Sequence, residues 1–165
     1  MTDPQLRRAL AETFFGARWI YKLGLALLVK DDEQLAHVRS QIIDYGSICE
    51  GLLHDMIRHA LDNSIMRGQK YLFTDTANMR NVIRWSRGID LNLNKQSFHW
   101  HINVSEDEGI INSGLRDRLH QLRKDRNTVH LHSRTYKAFL GASMSAYKVF
   151  LDTVDQTRTW KHRHP

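Results

Sequence analysis

Residues 35–56, LAHVRSQIIDYGSICEGLLHDM, carry the most regular hydrophobic pattern in the chain. Apolar side chains recur there in steps of three and four residues, at Leu35, Val38, Ile42, Tyr45, Cys49, Leu52 and Met56. This spacing puts them on one side of an α-helix, which we predict from a capping box at Asp31 and Gln34 to about Asn63. Gly46 interrupts the pattern, either to admit a neighbouring helix or as a tolerated residue that costs about 1 kcal/mol.

Most of the remaining chain has the same helical period. We predict further helices from Pro4 to Leu28, from about 74 to 88, from Leu115 to about Leu131 and from about Ser133 to Trp160. Residues 89–104 alternate apolar and polar side chains, which predicts a short β-hairpin or extended insert, and Ser105 and Glu108 then have capping-box spacing. The predicted fold is all-α, an up-and-down bundle of four to five helices, with one domain at 1–160 and a basic C-terminal tail at 161–165.

The composition narrows the class of protein. Of 165 residues, 41% are hydrophobic and 25% are charged, enough for one buried core and too apolar for a disordered chain. One cysteine excludes an internal disulfide framework. The most apolar stretch, Phe14 to Val29, contains Arg18 and Lys22, which argues against a membrane span or export signal, so we expect a cytosolic protein. The net charge of +6 permits an anionic partner such as nucleic acid without identifying one.

The stretch LHQLRKDRNTVHLH at 119–132 carries the candidate chemistry. On a helical wheel, Arg126 falls within the apolar stripe of this helix, and His130 lies at the edge of that stripe. The side chains that border the stripe are polar or basic, namely Arg116, His120, Arg123 and Asn127. Because burying an unpaired charge costs several kcal/mol, Arg126 needs an anionic ligand or a carboxylate, and Glu50 is the obvious carboxylate.

This stretch, ahead of a long last helix and behind a long helix containing ICEGLLHDMI, resembles the HEPN superfamily (higher eukaryote and prokaryote nucleotide-binding domains). The resemblance covers roughly 34–61 and 109–155. HEPN proteins are small α-helical bundles, and their signature is an arginine, often followed by a polar residue, with four to six residues between it and a histidine. In this chain three residues separate Arg126 from His130, and five separate Arg126 from His132. Six separate Arg123 from His130.

The resemblance implies a set of catalytic residues. The first choice is Arg126, Asn127 and His130, in the string RNTVH. The alternates are Arg123, His132 and Glu50. Many HEPN proteins are metal-independent endoribonucleases, including toxins and anti-phage effectors, whereas others are non-catalytic binding modules. We therefore expect an RNA-cleaving enzyme without a cofactor, and a non-catalytic helical dimer that binds a protein or a nucleotide is the alternative.

The chemistry of RNA cleavage fits these residue types. Attack by the ribose 2′-hydroxyl needs a base, an acid for the leaving oxygen and cations for the phosphorane; histidine can supply the proton transfers and arginine the charge. Expected partners are single-stranded RNA, a second copy across a shared cleft, and an antitoxin or other regulatory protein, with no membrane. The side chains expected to bind RNA are Arg116, His120, Arg123 and Lys124.

A metal site is the remaining alternative. Three His-x-His pairs suggest it: His99/His101, His130/His132 and His162/His164. On a strand His99 and His101 would share a face, as zinc ligands can, but no cysteine pair or acidic cluster has ligand spacing, so we expect no metal. Cys49 lies on the apolar stripe of its helix and is expected to be a buried core thiol.

Overall fold

The computed structural model describes residues 3–66, 93, 96–128 and 141–165, without the side chains of Asp31 and Asp32. These residues form α1 (Pro4–Ala26), α2 (Asp31–Asp62), α3 (Phe98–Asp107), α4 (Ser113–Thr128) and α5 (Gly141–Arg163). The described residues contain no strand, which confirms the all-α helical bundle. The predicted helix at 74 to 88 lies outside them.

The long helix α2 is the centre of the fold, and it packs against every other described helix. Its predicted stripe is the core of the bundle, since Val38, Ile42, Tyr45, Cys49 and Met56 are buried. Full burial of such a side chain stabilises the fold by about 1.5–3 kcal/mol. The helix begins as predicted at residue 31, but Lys30 is its N-cap and makes no side-chain capping bond, so the predicted capping box is wrong.

The first two helices are antiparallel. Leu10 of α1 packs so closely on α2 that a Cβ atom at Gly51 would lie 2.8 Å from its Cδ2 atom. At the other end of α1, a Cβ atom at Gly24 would lie 2.7 Å from Nδ1 of His37. Early residues of α1 therefore meet late residues of α2, and late residues of α1 meet early ones.

The last helix runs in the same direction as α2. The rings of Tyr45 and Tyr147 are 5.5 Å apart, and further along both helices the rings of His59 and Trp160 are 6.2 Å apart. The prediction that α5 ends at Trp160 is wrong, because the helix continues to Arg163. The carbonyl oxygen of His164 accepts a 2.8 Å hydrogen bond from Nε2 of His59, so the predicted C-terminal tail is helical to Arg163 and is joined to α2 through His164.

Helices α4 and α5 are antiparallel. The backbone N–H of Asn112, just before α4, donates a 2.8 Å hydrogen bond to Oε1 of Gln156, and Arg118 forms an ion pair with Asp152. The four long helices α1, α2, α4 and α5 therefore alternate in direction, as an up-and-down bundle requires. At the start of α4, Oδ1 of Asn112 accepts a 2.8 Å hydrogen bond from the backbone N–H of Leu115, which caps the helix.

The prediction of strand structure at 89–104 is wrong where the chain is described, because α3 covers Phe98–Asp107. The helix begins with Ser97 as N-cap, whose Oγ accepts a 3.2 Å hydrogen bond from the backbone N–H of Trp100. It packs against both α2 and α4, and it is buried on almost every side. Its buried side chains are Phe98, Trp100, His101, Ile102, Val104 and Ser105. A helix buried all round lacks the amphipathic pattern, and Ser105 lies inside it rather than at a capping position.

No helix within the described parts of the chain combines the length and the apolar character needed to cross a membrane.

Candidate functional site

Arg126 lies in the last turn of α4 and faces the middle of α2. Its Nη1 atom donates a 2.6 Å hydrogen bond to Oε2 of Glu50, and the two charged groups form an ion pair. The side chain of Arg126 is 29% exposed and that of Glu50 is 28% exposed. The prediction that Glu50 pairs with Arg126 is confirmed, and the pair lies at the edge of the core rather than inside it.

Gly46 makes room for this arginine. A Cβ atom at position 46 would lie 3.0 Å from Cδ of Arg126, so the absence of a side chain lets the arginine lie across α2. The third wall is α3, where the ring of Phe98 lies 5.9 Å from the guanidinium carbon, within the range of a cation–π contact. Three helices thus position one side chain, and the glycine admits a neighbouring helix, the first of the two roles considered for it.

The guanidinium group of Arg126 has N–H donors that make no hydrogen bond to another described residue. Among the described residues its hydrogen bond to Glu50 is the only one it makes, and it uses one of five N–H donors. An arginine held on one side by a carboxylate can still bind two oxygens of a phosphate with the rest of its planar fork. The geometry therefore combines a fixed position with capacity for an anionic ligand.

The neighbours of Arg126 on α4 differ in how accessible they are. Asn127 and Lys124 are exposed, and Arg123 is half-buried with an Nε atom that makes no hydrogen bond within the described chain. The structure thus brings Arg126 and Asn127 of the first-choice set to the end of α4. His130 and His132 lie outside the described residues.

A second polar cluster lies along the contact between α3 and α4. Nε2 of His120 donates to Oδ1 of Asn103 at 3.4 Å, and its ring lies 5.0 Å from the ring of His99. Burial, followed by smaller effects of the nearby His99, Arg123 and Arg116, lowers the pKa of His120 to about 4. His120 is therefore neutral at pH 7 in the unliganded protein, so it can offer hydrogen bonds to RNA but not a positive charge.

Arg116, one turn before His120, already has acidic partners. Its guanidinium lies 2.9 Å from Asp117 and 3.5 Å from Glu106, and the hydrogen bond to Asp117 raises its pKa. Of the arginine and lysine side chains predicted to bind RNA, Arg123 and Lys124 have no acidic partner in an ion pair among the described residues. Sequence reasoning did not predict the contacts of His120 with Asn103 and His99. These contacts depend on how α3 packs against α4.

The structure also corrects the expectation behind the metal site, that His99 and His101 share one face of a strand. On a helix His99 and His101 point to different neighbours: His99 faces His120, whereas the ring of His101 lies 5.4 Å from that of His54 on α2. No group of three potential metal ligands is brought together in the part of the chain that the structure describes. Burial, with a smaller effect of His54, lowers the pKa of His101 to about 4.

Cys49 is confirmed as a core residue. It is buried, and burial raises the pKa of its thiol to about 12. A thiol in that environment is not a nucleophile near neutral pH, since the thiolate is the reactive form.

Comparison of this chain with protein-family models, curated proteins and solved structures gives no match. The resemblance to the HEPN superfamily therefore stays a prediction based on the arginine motif and its place in the bundle.

Proposed function

We propose that this protein is a metal-independent endoribonuclease that cleaves single-stranded RNA through attack of the ribose 2′-hydroxyl, acting in the cytosol as a toxin or anti-phage effector. The observation that supports this proposal is the state of Arg126, which Glu50 holds at 2.6 Å while part of the side chain stays open to solvent. The 29% exposure of the Arg126 side chain is compatible with contact to an anionic ligand.

The role of Arg126 in the proposed reaction is to hold charge on the phosphate. As the 2′-oxygen forms its bond to phosphorus and the bond to the 5′-oxygen breaks, negative charge grows on the phosphoryl oxygens. The pair with Glu50 and the ring of Phe98 hold the guanidinium in one place, so little ordering is needed when substrate binds. The reaction leaves a cyclic 2′,3′-phosphate and a 5′-hydroxyl.

His130 supplies proton transfer in this proposal, with His132 as the alternate. Both lie within six residues after Arg126 in the sequence, and histidine changes charge near neutral pH. His120 is less suited to this work, because the lowered pKa of about 4 leaves its imidazole unprotonated at pH 7. One histidine cannot act as acid and base in the same step, so two copies of the chain would supply the pair across a shared cleft.

The test uses purified protein and a labelled single-stranded RNA in the presence of EDTA. We expect cleavage by the wild type, and loss of at least a hundredfold in rate for Arg126→Ala and for His130→Ala, of the order found for a lost transition-state donor. Arg118→Ala is the matched control, because it also removes an arginine of α4 that pairs with an acid, Asp152. Cleavage that persists in both Arg126→Ala and His130→Ala would overturn the assignment.

The non-catalytic module remains the second candidate, because the ion pair with Glu50 already neutralises the charge of Arg126. In that case Arg126→Ala lowers the free energy of unfolding and no RNA cleavage is present to lose. Expression in a host separates the two functions further, since an active ribonuclease arrests growth in a manner that depends on His130, whereas a binding module accumulates without effect.

A further inference from the structure

A cleft opens between the end of α1, the first half of α2 and the start of α5. One part of it is a cavity of about 460 Å³, and the part nearer the middle of α2 is a cavity of about 410 Å³. Each volume is typical of a site for a small molecule. The two cavities are parts of one cleft, because they share the lining side chains Tyr21, Leu25, Gln41, Ser143 and Met144. We refer to it as the α1–α5 cleft.

Most of the wall of the α1–α5 cleft is apolar. Leu25 lines it from α1, Leu28 and Val29 from the residues that follow α1, and Val38 from α2. Val38 is buried, whereas Leu28 is 77% exposed, so the apolar wall leads from the core outward to solvent. Covering such a wall with an elongated apolar molecule is favourable, and the polar groups of the cleft define which molecule fits.

Two polar side chains of α2 are buried in the cleft without hydrogen-bond partners. Gln41 is 4% exposed and Tyr45 is 5% exposed, and neither makes a hydrogen bond to another described residue. Protein does not completely cover the amide of Gln41 or the hydroxyl of Tyr45, so both groups open into the cleft that they line. The two positions are one helical turn apart and face the same side. A ligand that bonds to both would relieve the cost of burying them unpaired.

The charges that line the cleft are positive. Arg18 and Lys22 are one turn apart on α1 and line the smaller cavity, and neither forms an ion pair with another described residue. Arg18 lies close enough to Tyr45 to lower the pKa of its hydroxyl, against the larger effect of burial, which raises it. Asp44 also acts on this pKa, but no acidic side chain is among the described residues that line the cleft. The site therefore suits an anion.

We propose that the α1–α5 cleft binds a small carboxylic acid with an elongated aliphatic body, whose carboxylate lies at Arg18 and Lys22. The guanidinium of Arg18 offers donors that match a carboxylate, and Lys22 adds a second positive charge. The hydroxyl of Tyr45 and the amide of Gln41 donate to the carboxylate from the α2 side. The aliphatic chain extends through the larger cavity toward Leu28.

This site is separate from the site at Arg126. Arg126 lies across α2 at Gly46, which is five positions and about 140° from Gln41 around the helix. The α1–α5 cleft is bounded by α1 and α5, whereas Arg126 contacts α2 and α3. The inference therefore goes beyond the proposed ribonuclease activity and does not depend on it.

The test measures binding of decanoate to the full chain by isothermal titration calorimetry, with 1-decanol as the uncharged molecule of the same length. We expect one decanoate to bind per chain, about tenfold or more tightly than 1-decanol. The double variant Arg18→Gln/Lys22→Gln should lose about tenfold or more in affinity for decanoate and keep its affinity for 1-decanol. The matched control is Arg7→Gln/Arg8→Gln, which removes the same charge from α1 outside the cleft and should bind decanoate like the wild type.

A second pair of variants tests the position of the site. Met144→Trp puts a large ring into the cleft from α5, and we expect it to abolish binding of decanoate and of 1-decanol. Leu151→Trp is the matched control, because Leu151 is 44% exposed on the same helix and Met144 is 47% exposed, and it should bind like the wild type. Circular dichroism shows whether each variant is folded. Arg18 and Lys22 are exposed, so the charge variant keeps the proposal testable if Met144→Trp does not fold.

Several results would overturn the proposal. One is a wild type that does not bind decanoate saturably, whether the cleft is then covered by a second copy, seen as a dimer that Met144→Trp disrupts, or by a lipid surface. The lipid surface is recognised by binding to vesicles of equal parts phosphatidylcholine and phosphatidylglycerol that Arg18→Gln/Lys22→Gln abolishes. Another is equal affinity for decanoate and 1-decanol. The last is undiminished binding of decanoate by folded Met144→Trp or by the charge variant.

Discussion

The guanidinium of Arg126 and the carboxylate of Glu50 meet at 2.6 Å, and they join the end of α4 to the middle of α2. More than two-thirds of each side chain is covered by protein. Such a pair lies between two regimes: exposed pairs contribute up to about 1 kcal/mol, whereas loss of one partner from a buried pair leaves a charge without compensation.

We expect Glu50→Ala to lower the free energy of unfolding by about 1–3 kcal/mol, because Arg126 loses the acceptor of its hydrogen bond. Urea unfolding of the wild type, the two single variants and the double variant gives the coupling energy of the pair. The same cycle on Arg118 and Asp152, whose side chains are nearly half exposed, should give a smaller value. Equal coupling in the two cycles would show that the partial burial of the Arg126 pair has no energetic effect.

Gly46→Ala should reduce RNA cleavage with little change in stability. The new Cβ atom would lie 3.0 Å from Cδ of Arg126, so the flexible arginine must move, while the gain of about 1 kcal/mol in helix propensity offsets the strain. Gly51→Ala is the matched control, since its Cβ atom would meet Leu10 on the opposite side of α2. Cleavage by Gly46→Ala at the wild-type rate would show that the position of Arg126 across α2 is unimportant for activity.

Acid should destabilise the protein through His101. Its pKa is lowered from 6.5 to about 4 in the folded state, first by burial and then by His54, so between these values the unfolded chain binds more protons than the folded one. The free energy of unfolding therefore falls as the pH drops from 6.5 toward 4, by up to about 1.4 kcal/mol per pH unit for this group, and is unaffected by this group above 6.5. Urea titrations over this range should show a smaller slope for His101→Leu.

Truncation of the C-terminal end should show how much the hydrogen bond between His59 and His164 stabilises the fold. His59 is buried, and its Nε2 atom donates to the carbonyl oxygen of His164, whose ring stacks on Trp160 at 4.6 Å. Removing residues 164–165 takes away this acceptor, and we expect a loss of about 1–3 kcal/mol in the free energy of unfolding. A chain shortened by Pro165 alone should keep its stability, and equal losses in the two truncations would assign the effect to something other than the hydrogen bond.

Sequence reasoning was most accurate for a helix that has one buried side and one side exposed to water. The bounds of α2 were predicted almost to the residue because one side of it is apolar and the rest is polar, which is the pattern that periodicity detects. The pairing of Arg126 with Glu50 was also predictable, since a charge on an apolar stripe needs a partner. The first inference depends on the residue pattern within one helix, and the second depends on a general rule about buried charge.

The largest failure was the short helix α3, which was predicted as strand structure. Trp100, Ile102 and Val104 alternate with polar residues, and this spacing indicated a strand. The segment is instead a helix that is buried on almost every side between α2 and α4. The approach of His99 to His120 has no signature in the sequence, because it depends on which faces of α3 and α4 meet. The exposure of Phe15 and Trp19 on α1 is a further property that only packing defines.

The central place of α2 has a consequence for how the bundle opens. Every other described helix rests on it, so a fluctuation that frees its middle, around Ile48, Cys49 and Leu53, must separate all of them at once. The amide hydrogens there should exchange with solvent deuterium only through global unfolding, while those in the outer helix α1 exchange by cheaper local opening. The protein is thus built with a slow-exchanging axis and a periphery that can detach while the axis persists.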